Sequence, residues 1–123
     1  MTSLLFSHLL LPFVIAMFLA ITMGGSGTAP SFSVAYGANL IRKNLIPGLF
    51  GLMVFAGAIV AGKNTSVTIG KDILPSEMMT YGLVSIILLS VTISLLFANI
   101  VGIPQSTSQS TILAVTAPAL YYN

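Results

Sequence analysis

Apolar residues run along this chain in long blocks, separated by short stretches rich in polar residues, glycine and proline. Three blocks come close to the roughly 20 apolar residues that a helix needs to cross about 30 Å of hydrocarbon. They are residues 4–23, 45–62 and 81–101. We predict a transmembrane helix from each block, with Pro12 as the point where the first can kink.

Two further apolar pieces are too short to cross a bilayer. Residues 32–41 follow the stretch GGSGTAPS, residues 24–31, and residues 112–122 follow GIPQSTSQST, residues 102–111. Irregular backbone at membrane depth is tolerated only where it is buried in protein or lines a watery cavity, and interrupted apolar segments point to binding sites. We therefore predict two breaks, each followed by a half-length helix.

Composition supports a membrane location. Charged residues make up 5% of the chain, apolar residues 56%, and the mean hydropathy is +1.06, whereas soluble domains carry about 25% charged residues. No Lys or Arg precedes Arg42, so we expect the first apolar block to be a retained helix and not a cleaved signal peptide. The predicted fold class is all-α integral membrane, with about three transmembrane helices plus broken or re-entrant half-helices and no separate soluble domain.

The charged residues lie in two places only, residues 42–43 and 63–77. The second is a polar loop whose sequence LPSE predicts a helix start with Pro75 or Ser76 near the cap and Glu77 in the first turn. A net charge of +2 with no basic face does not indicate nucleic-acid binding. The absence of cysteine excludes disulfides and thiolate chemistry.

The two hydroxyl-rich breaks carry the candidate chemistry. Pro104 fits a first helical position, so we expect a helix from about Gln105, with unpaired N–H groups beside the hydroxyls that follow. A helix start attracts anions without any basic residue. Pro30 predicts a second start of this kind, and we expect the two to face each other as a cradle for an oxyanion. The alternative is structural, because Ser and Thr in membrane helices commonly bond back to the preceding turn or across to another helix. Ser85 and Ser94 lie in the middle of a span predicted to be an ordinary helix, and we expect removal of their hydroxyls to weaken binding far less than removal of the Thr107 hydroxyl.

Enzyme motifs fail on inspection. GGSGT lacks the last glycine of a nucleophile elbow and the lysine of a phosphate-binding loop. His8 is the only histidine, and the acids Asp72 and Glu77 lie in the polar loop. We expect no enzyme activity, no metal site and no cofactor.

Two separated stretches resemble a known family. GGSGTAPSFSVAYGANLIRKN, continued by GLMVFAGAIVAG and TIGKDI, and then ANIVGIPQSTSQST are similar to the N-terminal repeat of the inorganic phosphate transporter (PiT) family, most of all its sulfate permease branch. The resemblance implies that residues 1–123 are one half of an inverted-repeat anion permease. The substrate-binding residues that we predict are Ser26, Gly27, Thr28, Ser31, Gln105, Ser106, Thr107 and Ser108.

The chain departs from the family pattern at several positions. The Asn-Asp pair of the phosphate-transporting members falls on Ser26 and Gly27, a later Asn on Pro30, a further Asn on Val54, and the histidine after the Ser/Thr triplet on Gln109. The lost carboxylate and amides are those that would hold sodium, so these departures lead us to expect a proton rather than sodium as the coupling ion. Sulfate is fully ionised and takes donors only, whereas phosphate still carries a proton, so we expect sulfate to be preferred.

The expected function is therefore an ion-coupled secondary transporter, a symporter for an inorganic oxyanion, sulfate or phosphate. It would sit as a multi-pass protein in the inner (plasma) membrane, with the N-terminus outside, and pair with a second repeat half or with another copy of itself. The alternative is a small structural or assembly membrane protein without transport activity. Such a protein would be expected to have plain spans without two hydroxyl-rich breaks.

Overall fold

A computed structural model describes residues 1–122, and every regular element among them is helical. The four α-helices are α1 (Thr2–Gly37), α2 (Ile46–Val67), α3 (Tyr81–Val101) and α4 (Thr107–Tyr121). A 3₁₀ turn, Lys43–Leu45, leads into α2, and a π-helical turn, Thr68–Asp72, continues it. The predicted all-α fold class is confirmed.

Three helical stretches are long and apolar enough to cross a membrane. They are Thr2–Gly37, Lys43–Asp72 and Tyr81–Val101. The prediction of about three transmembrane helices is therefore confirmed, and α3 has the predicted bounds. The chain is a multi-pass membrane protein.

The predicted break at residues 24–31 is wrong, because α1 continues through it and through Pro12 and Pro30. Three hydroxyls in this stretch donate to carbonyls one turn back in α1. Ser26 donates to Met23 O at 3.2 Å, Ser31 to Gly27 O at 2.8 Å, and Thr28 to Gly24 O. In apolar surroundings a backbone group without a partner costs more than the low helix propensity of Gly, Ser and Thr. The helix persists to Gly37, so the first six residues of the predicted half-length piece form its last turns and the rest lies outside the helix.

Helices α1 and α3 lie side by side and run in the same direction. His8 stacks on Tyr81 near the start of both helices, with ring centroids 6.4 Å apart. Near the end of α3, the Asn99 side-chain Nδ2 donates to the Thr22 carbonyl at 3.2 Å. At 36 residues, α1 is about 54 Å long at 1.5 Å per residue. Its last turns therefore extend well beyond the end of α3.

The core is small and centres on α3. Leu95 and Val91 of α3 are almost fully buried, as is Val115 of α4. Leu74, which follows the π-helical turn, packs with Ile87 and Val115. Helix α2 has no buried residue among those described, and most of its large apolar side chains, Val60 and Ile59 among them, are exposed. In a bilayer that surface meets lipid or another polypeptide.

The helix start predicted at the LPSE stretch is displaced. The LPSE stretch forms only a three-residue 3₁₀ turn, Ser76–Met78, with Pro75 at its cap and Glu77 in its first turn. Helix α3 starts later, where the Thr80 hydroxyl accepts from the Leu83 N–H at 3.3 Å. A threonine at this position caps a helix better than proline does, because its side-chain oxygen satisfies an unpaired N–H.

Candidate functional site

The connection between α3 and α4 is the one predicted break that the structure contains. Gly102 ends α3 in the left-handed conformation, with φ 78°, and the Ile103 N–H donates back to Ala98 O at 2.9 Å. Glycine adopts this conformation without steric penalty, which is why helices so often end on it. The chain then turns through Pro104 to the start of α4.

Helix α4 begins at Thr107 and not near Gln105 as predicted. Ser106 is its cap, because its hydroxyl accepts from the Gln109 N–H at 3.4 Å. Pro104 consequently lies before the cap and not in the first turn. A side-chain oxygen that satisfies a first-turn N–H outweighs the fixed φ of proline in setting where the helix begins.

The first turn of α4 presents two hydroxyls to a cavity of ≈ 520 Å³, which we call the α4-start cavity. Within residues 1–122, neither Thr107 nor Ser108 donates its hydroxyl proton to a protein acceptor, in contrast to Thr111, which donates to Thr107 O at 2.8 Å. The opposite walls come from Met23, from the end of α2 and from the π-helical turn that continues it. The positive end of the α4 dipole points to the same place.

A second cavity, of ≈ 460 Å³, brings the two hydroxyl-rich stretches together. We call it the α1–α3 cavity. Ser26 and Pro30 line it from α1, and Asn99, Gly102 and Pro104 line it from the end of α3. The prediction that the two stretches lie close in space is therefore confirmed, although only one of them is a break.

The predicted cradle of two facing helix starts is wrong. Only α4 starts in this region. Ser26, Thr28 and Ser31 lie inside α1 and donate their hydroxyl hydrogen bonds to its backbone carbonyls. Ser26 and the Thr107–Ser108 pair line different cavities. In this conformation the α1 hydroxyls therefore follow the structural alternative, in which they bond back to their own helix.

Gly27 lies where α1 approaches α2. A Cβ built on Gly27 would be 3.1 Å from Cζ of Phe50, which is closer than carbon atoms normally pack. The aromatic ring of Phe50 also meets Phe32 edge-on, with centroids 6.3 Å apart. The structure thus gives Gly27 a packing contact, and its predicted place in substrate binding stays a prediction.

Gln105 ties α3 to α4. Its side-chain Nε2 donates to the Ser94 hydroxyl at 2.8 Å and to the Ser110 hydroxyl at 2.7 Å. Both amide hydrogens are therefore used, which leaves the amide oxygen as the group able to meet a ligand. Ser94, which lies in a helix predicted to be ordinary, accepts one of these hydrogen bonds, whereas Ser85 donates to Tyr81 O within α3.

Asn99 is a polar residue of this region that the motif analysis did not single out. Its Nδ2 holds the Thr22 carbonyl, and its side chain lines the α1–α3 cavity beside Ser26. The available signal was its position as the only amide side chain inside an otherwise amide-free span, since such residues hydrogen-bond across membrane helices.

The chemistry that these residues can offer is that of neutral donors. Among the described residues, no three His, Asp or Glu side chains come together. Asp72 and Glu77 lie between α2 and α3 and line neither the α4-start cavity nor the α1–α3 cavity. Hydroxyls, amides and a helix start suit an anion better than a divalent cation, because hard cations take several oxygen ligands and preferably carboxylates.

Comparison of the sequence with those of known proteins identifies relatives of this chain. The model of the phosphate transporter family matches residues 23–123. The sulfate permease CysP of Bacillus subtilis is 38% identical over 108 residues, 87% of this chain and 30% of that protein. The "Putative phosphate permease TK2061" of Thermococcus kodakarensis is 32% identical over 120 residues, 93% of this chain and 29% of that protein. A protein of Mycobacterium tuberculosis named "Putative phosphate permease MT2339" is 30% identical over 120 residues, 91% of this chain and 21% of that protein.

The chain spans at most about 30% of the length of these relatives. No solved structure matches it significantly. The family match covers both hydroxyl-rich stretches, α2, α3 and α4. The chain belongs to the phosphate transporter family.

Proposed function

We propose that this chain is one half of a permease that moves an inorganic oxyanion across the membrane, and that it does so without enzymatic chemistry. The observation that carries the proposal is the start of α4, where the Thr107 and Ser108 hydroxyls have no protein acceptor within the described residues and open onto the α4-start cavity. Hydroxyl donors beside the positive end of a helix dipole are what an oxyanion binds. Family membership and the permease names of the relatives support the same conclusion.

The preferred anion in this proposal is sulfate. Sulfate accepts hydrogen bonds only, whereas hydrogen phosphate also has a proton to donate and gains from a carboxylate acceptor. The chain has two acids, and neither lines the α4-start cavity. Asn64, which does line it, does not discriminate, because an amide can present either its oxygen or its NH₂ to a ligand. The B. subtilis relative is itself named a sulfate permease.

The coupling ion in this proposal is a proton. Ser26 and Gly27 stand at the positions where the family pattern has its Asn-Asp pair. Together they offer sodium a single side-chain oxygen, the Ser26 hydroxyl, and no carboxylate. Replacing sodium by potassium is then expected to leave uptake unchanged, while collapse of the pH gradient is expected to stop it. We place the permease in the inner (plasma) membrane with the N-terminus outside, so that Arg42 and Lys43 lie in the cytoplasm.

A chimeric permease tests the proposal. Residues 1–123 replace the matching segment of the B. subtilis sulfate permease, and uptake of labelled sulfate is measured in liposomes against unlabelled sulfate and unlabelled phosphate. We expect uptake, with sulfate the stronger competitor. No uptake of either anion by a correctly inserted chimera would overturn the permease proposal, and stronger competition by phosphate would overturn the substrate preference alone.

A further inference from the structure

The second half of α1 and the start of α2 line a third, open cavity, and Thr28 of the first hydroxyl-rich stretch lies on its wall. It measures ≈ 450 Å³ and lies where α1 extends beyond α3, and we call it the overhang cavity. Ser33 and Tyr36 line it from α1, and Lys43 lines it from the 3₁₀ turn that leads into α2. Phe32, Ile46 and Pro47 supply apolar walls.

Three polar side chains of the overhang cavity have no hydrogen-bond acceptor among the described residues. Among the described residues, the Ser33 hydroxyl, the Tyr36 hydroxyl and the Lys43 ammonium make no side-chain hydrogen bond, whereas Ser31, two residues before Ser33, donates to Gly27 O. Thr28 also lines the cavity, but its hydroxyl proton goes to Gly24 O. A lysine ammonium has three donors and no acceptor. The unused hydrogen-bonding capacity here therefore favours an anionic ligand.

No acidic residue of this chain lies close to the positive charge of Lys43. Its only acids, Asp72 and Glu77, lie beyond the far end of α2. The 22 residues of α2 separate them from Lys43 by about 30 Å at 1.5 Å per residue. That distance exceeds the Debye length of about 8 Å at physiological salt. The N-terminal end of the α2 dipole adds positive potential on the same side.

We propose that the overhang cavity binds a tetrahedral oxyanion, a sulfate or phosphate group, through Lys43 with Tyr36 and Ser33. This site is separate from the start of α4 and does not depend on the transport proposal. The group can belong to a free inorganic anion or to the headgroup of an anionic phospholipid, because both present the same charged oxygens.

The test is a binding measurement on the 123-residue chain in nanodiscs, with circular dichroism to confirm equal helix content in every variant. All variants carry Thr107→Val, so that binding at the start of α4 is already weakened. One arm titrates labelled sulfate and inorganic phosphate into phosphatidylcholine nanodiscs. The other measures retention of phosphatidylglycerol over phosphatidylcholine by native mass spectrometry.

We expect Lys43→Gln to weaken binding at least tenfold in one of the two arms, and Tyr36→Phe to weaken it severalfold. Lys63→Gln removes the same charge from the other end of α2 and is expected to change binding less than twofold. A loss in the free-anion arm identifies an inorganic ligand, and a loss in the lipid arm identifies a headgroup. Equal effects of Lys43→Gln and Lys63→Gln, or no effect of Lys43→Gln in either arm, would overturn the proposal.

Discussion

The Ser and Thr side chains of this protein form two groups, according to where their hydroxyl protons go. Most donate to a carbonyl one turn back in their own helix, as Thr22, Thr92 and Thr116 do. Thr107 and Ser108 do not, because they occupy the first turn of α4, where no carbonyl precedes them in the helix. A hydroxyl in the first turn of a helix is thus left available to a ligand, whereas most hydroxyls further along a helix are bonded to its backbone.

Thr107→Val tests that distinction in the chimeric permease. Valine keeps the shape of threonine and removes the hydroxyl, and a hydrogen bond to a charged group contributes about 1.5–3 kcal/mol. We expect the apparent affinity for sulfate to fall about ten- to a hundredfold. Thr116→Val makes the same change in the same helix, where the hydroxyl donates to Ile112 O, and is expected to leave the affinity nearly unchanged. Equal effects of the two substitutions would assign Thr107 to packing.

Gln105 gives a second prediction at this scale. Each of its two side-chain hydrogen bonds contributes about 1 kcal/mol, so Gln105→Leu is expected to lower the thermal stability of the chain in detergent. Ser94→Ala removes one of the same bonds, and the double variant is therefore expected to lose less stability than the sum of the single losses. Gln109→Leu is the control, because within residues 1–122 the Gln109 side chain makes no hydrogen bond. Strict additivity would contradict the proposed contact between α3 and α4.

At the scale of elements, α1 shows how the surroundings of a segment override its local sequence. The stretch GGSGTAPS has low helix propensity, and in water it would be a plausible break. Inside an apolar medium the backbone must pair its own hydrogen-bonding groups, and the Ser and Thr side chains of this stretch cap carbonyls as well. The sequence pattern alone does not say whether low helix propensity or the need to pair backbone groups decides the conformation of this stretch.

Other elements were predictable because several signals agree. The bounds of α3, Tyr81–Val101, follow from an uncharged apolar block with Thr80 before it and Gly102 after it. The break before α4 was predictable from Gly102 and Pro104, whereas its first helical residue depended on which hydroxyl capped the helix. The separation of Ser26 from Thr107 into different cavities depends on how α1 packs against α3, which no local pattern encodes.

Two glycines of α1 give opposite expectations. A Cβ on Gly24 would have no neighbour within 4 Å, whereas one on Gly27 would press on the Phe50 ring at 3.1 Å. Gly24→Ala is expected to raise stability by up to about 1 kcal/mol through helix propensity. Gly27→Ala is expected to gain less, or to lose stability, because the ring must move. Thermal unfolding of both variants in detergent checks this, and an equal gain at both positions would argue against the packing of α1 on α2.

At the scale of the whole molecule, polar groups lie on a surface that is otherwise largely apolar. Helix α2 has no buried residue among those described, and the polar Asn99 lies on the exposed α1–α3 cavity. Polar groups in hydrocarbon need a protein or water partner. The relatives are at least about three times as long as this chain, so we expect a second polypeptide segment to cover these faces and complete the transport path.

Reconstitution of separate halves tests this account most directly. Liposomes receive residues 1–123 alone, the remaining part of the B. subtilis sulfate permease alone, or both together, and uptake of labelled sulfate is measured in each. We predict uptake only when both are present, and its loss when the first half carries Thr107→Val. Uptake by residues 1–123 alone, or uptake with both halves that is indifferent to Thr107→Val, would contradict the claim that this chain supplies half of an oxyanion permease with its site at the start of α4.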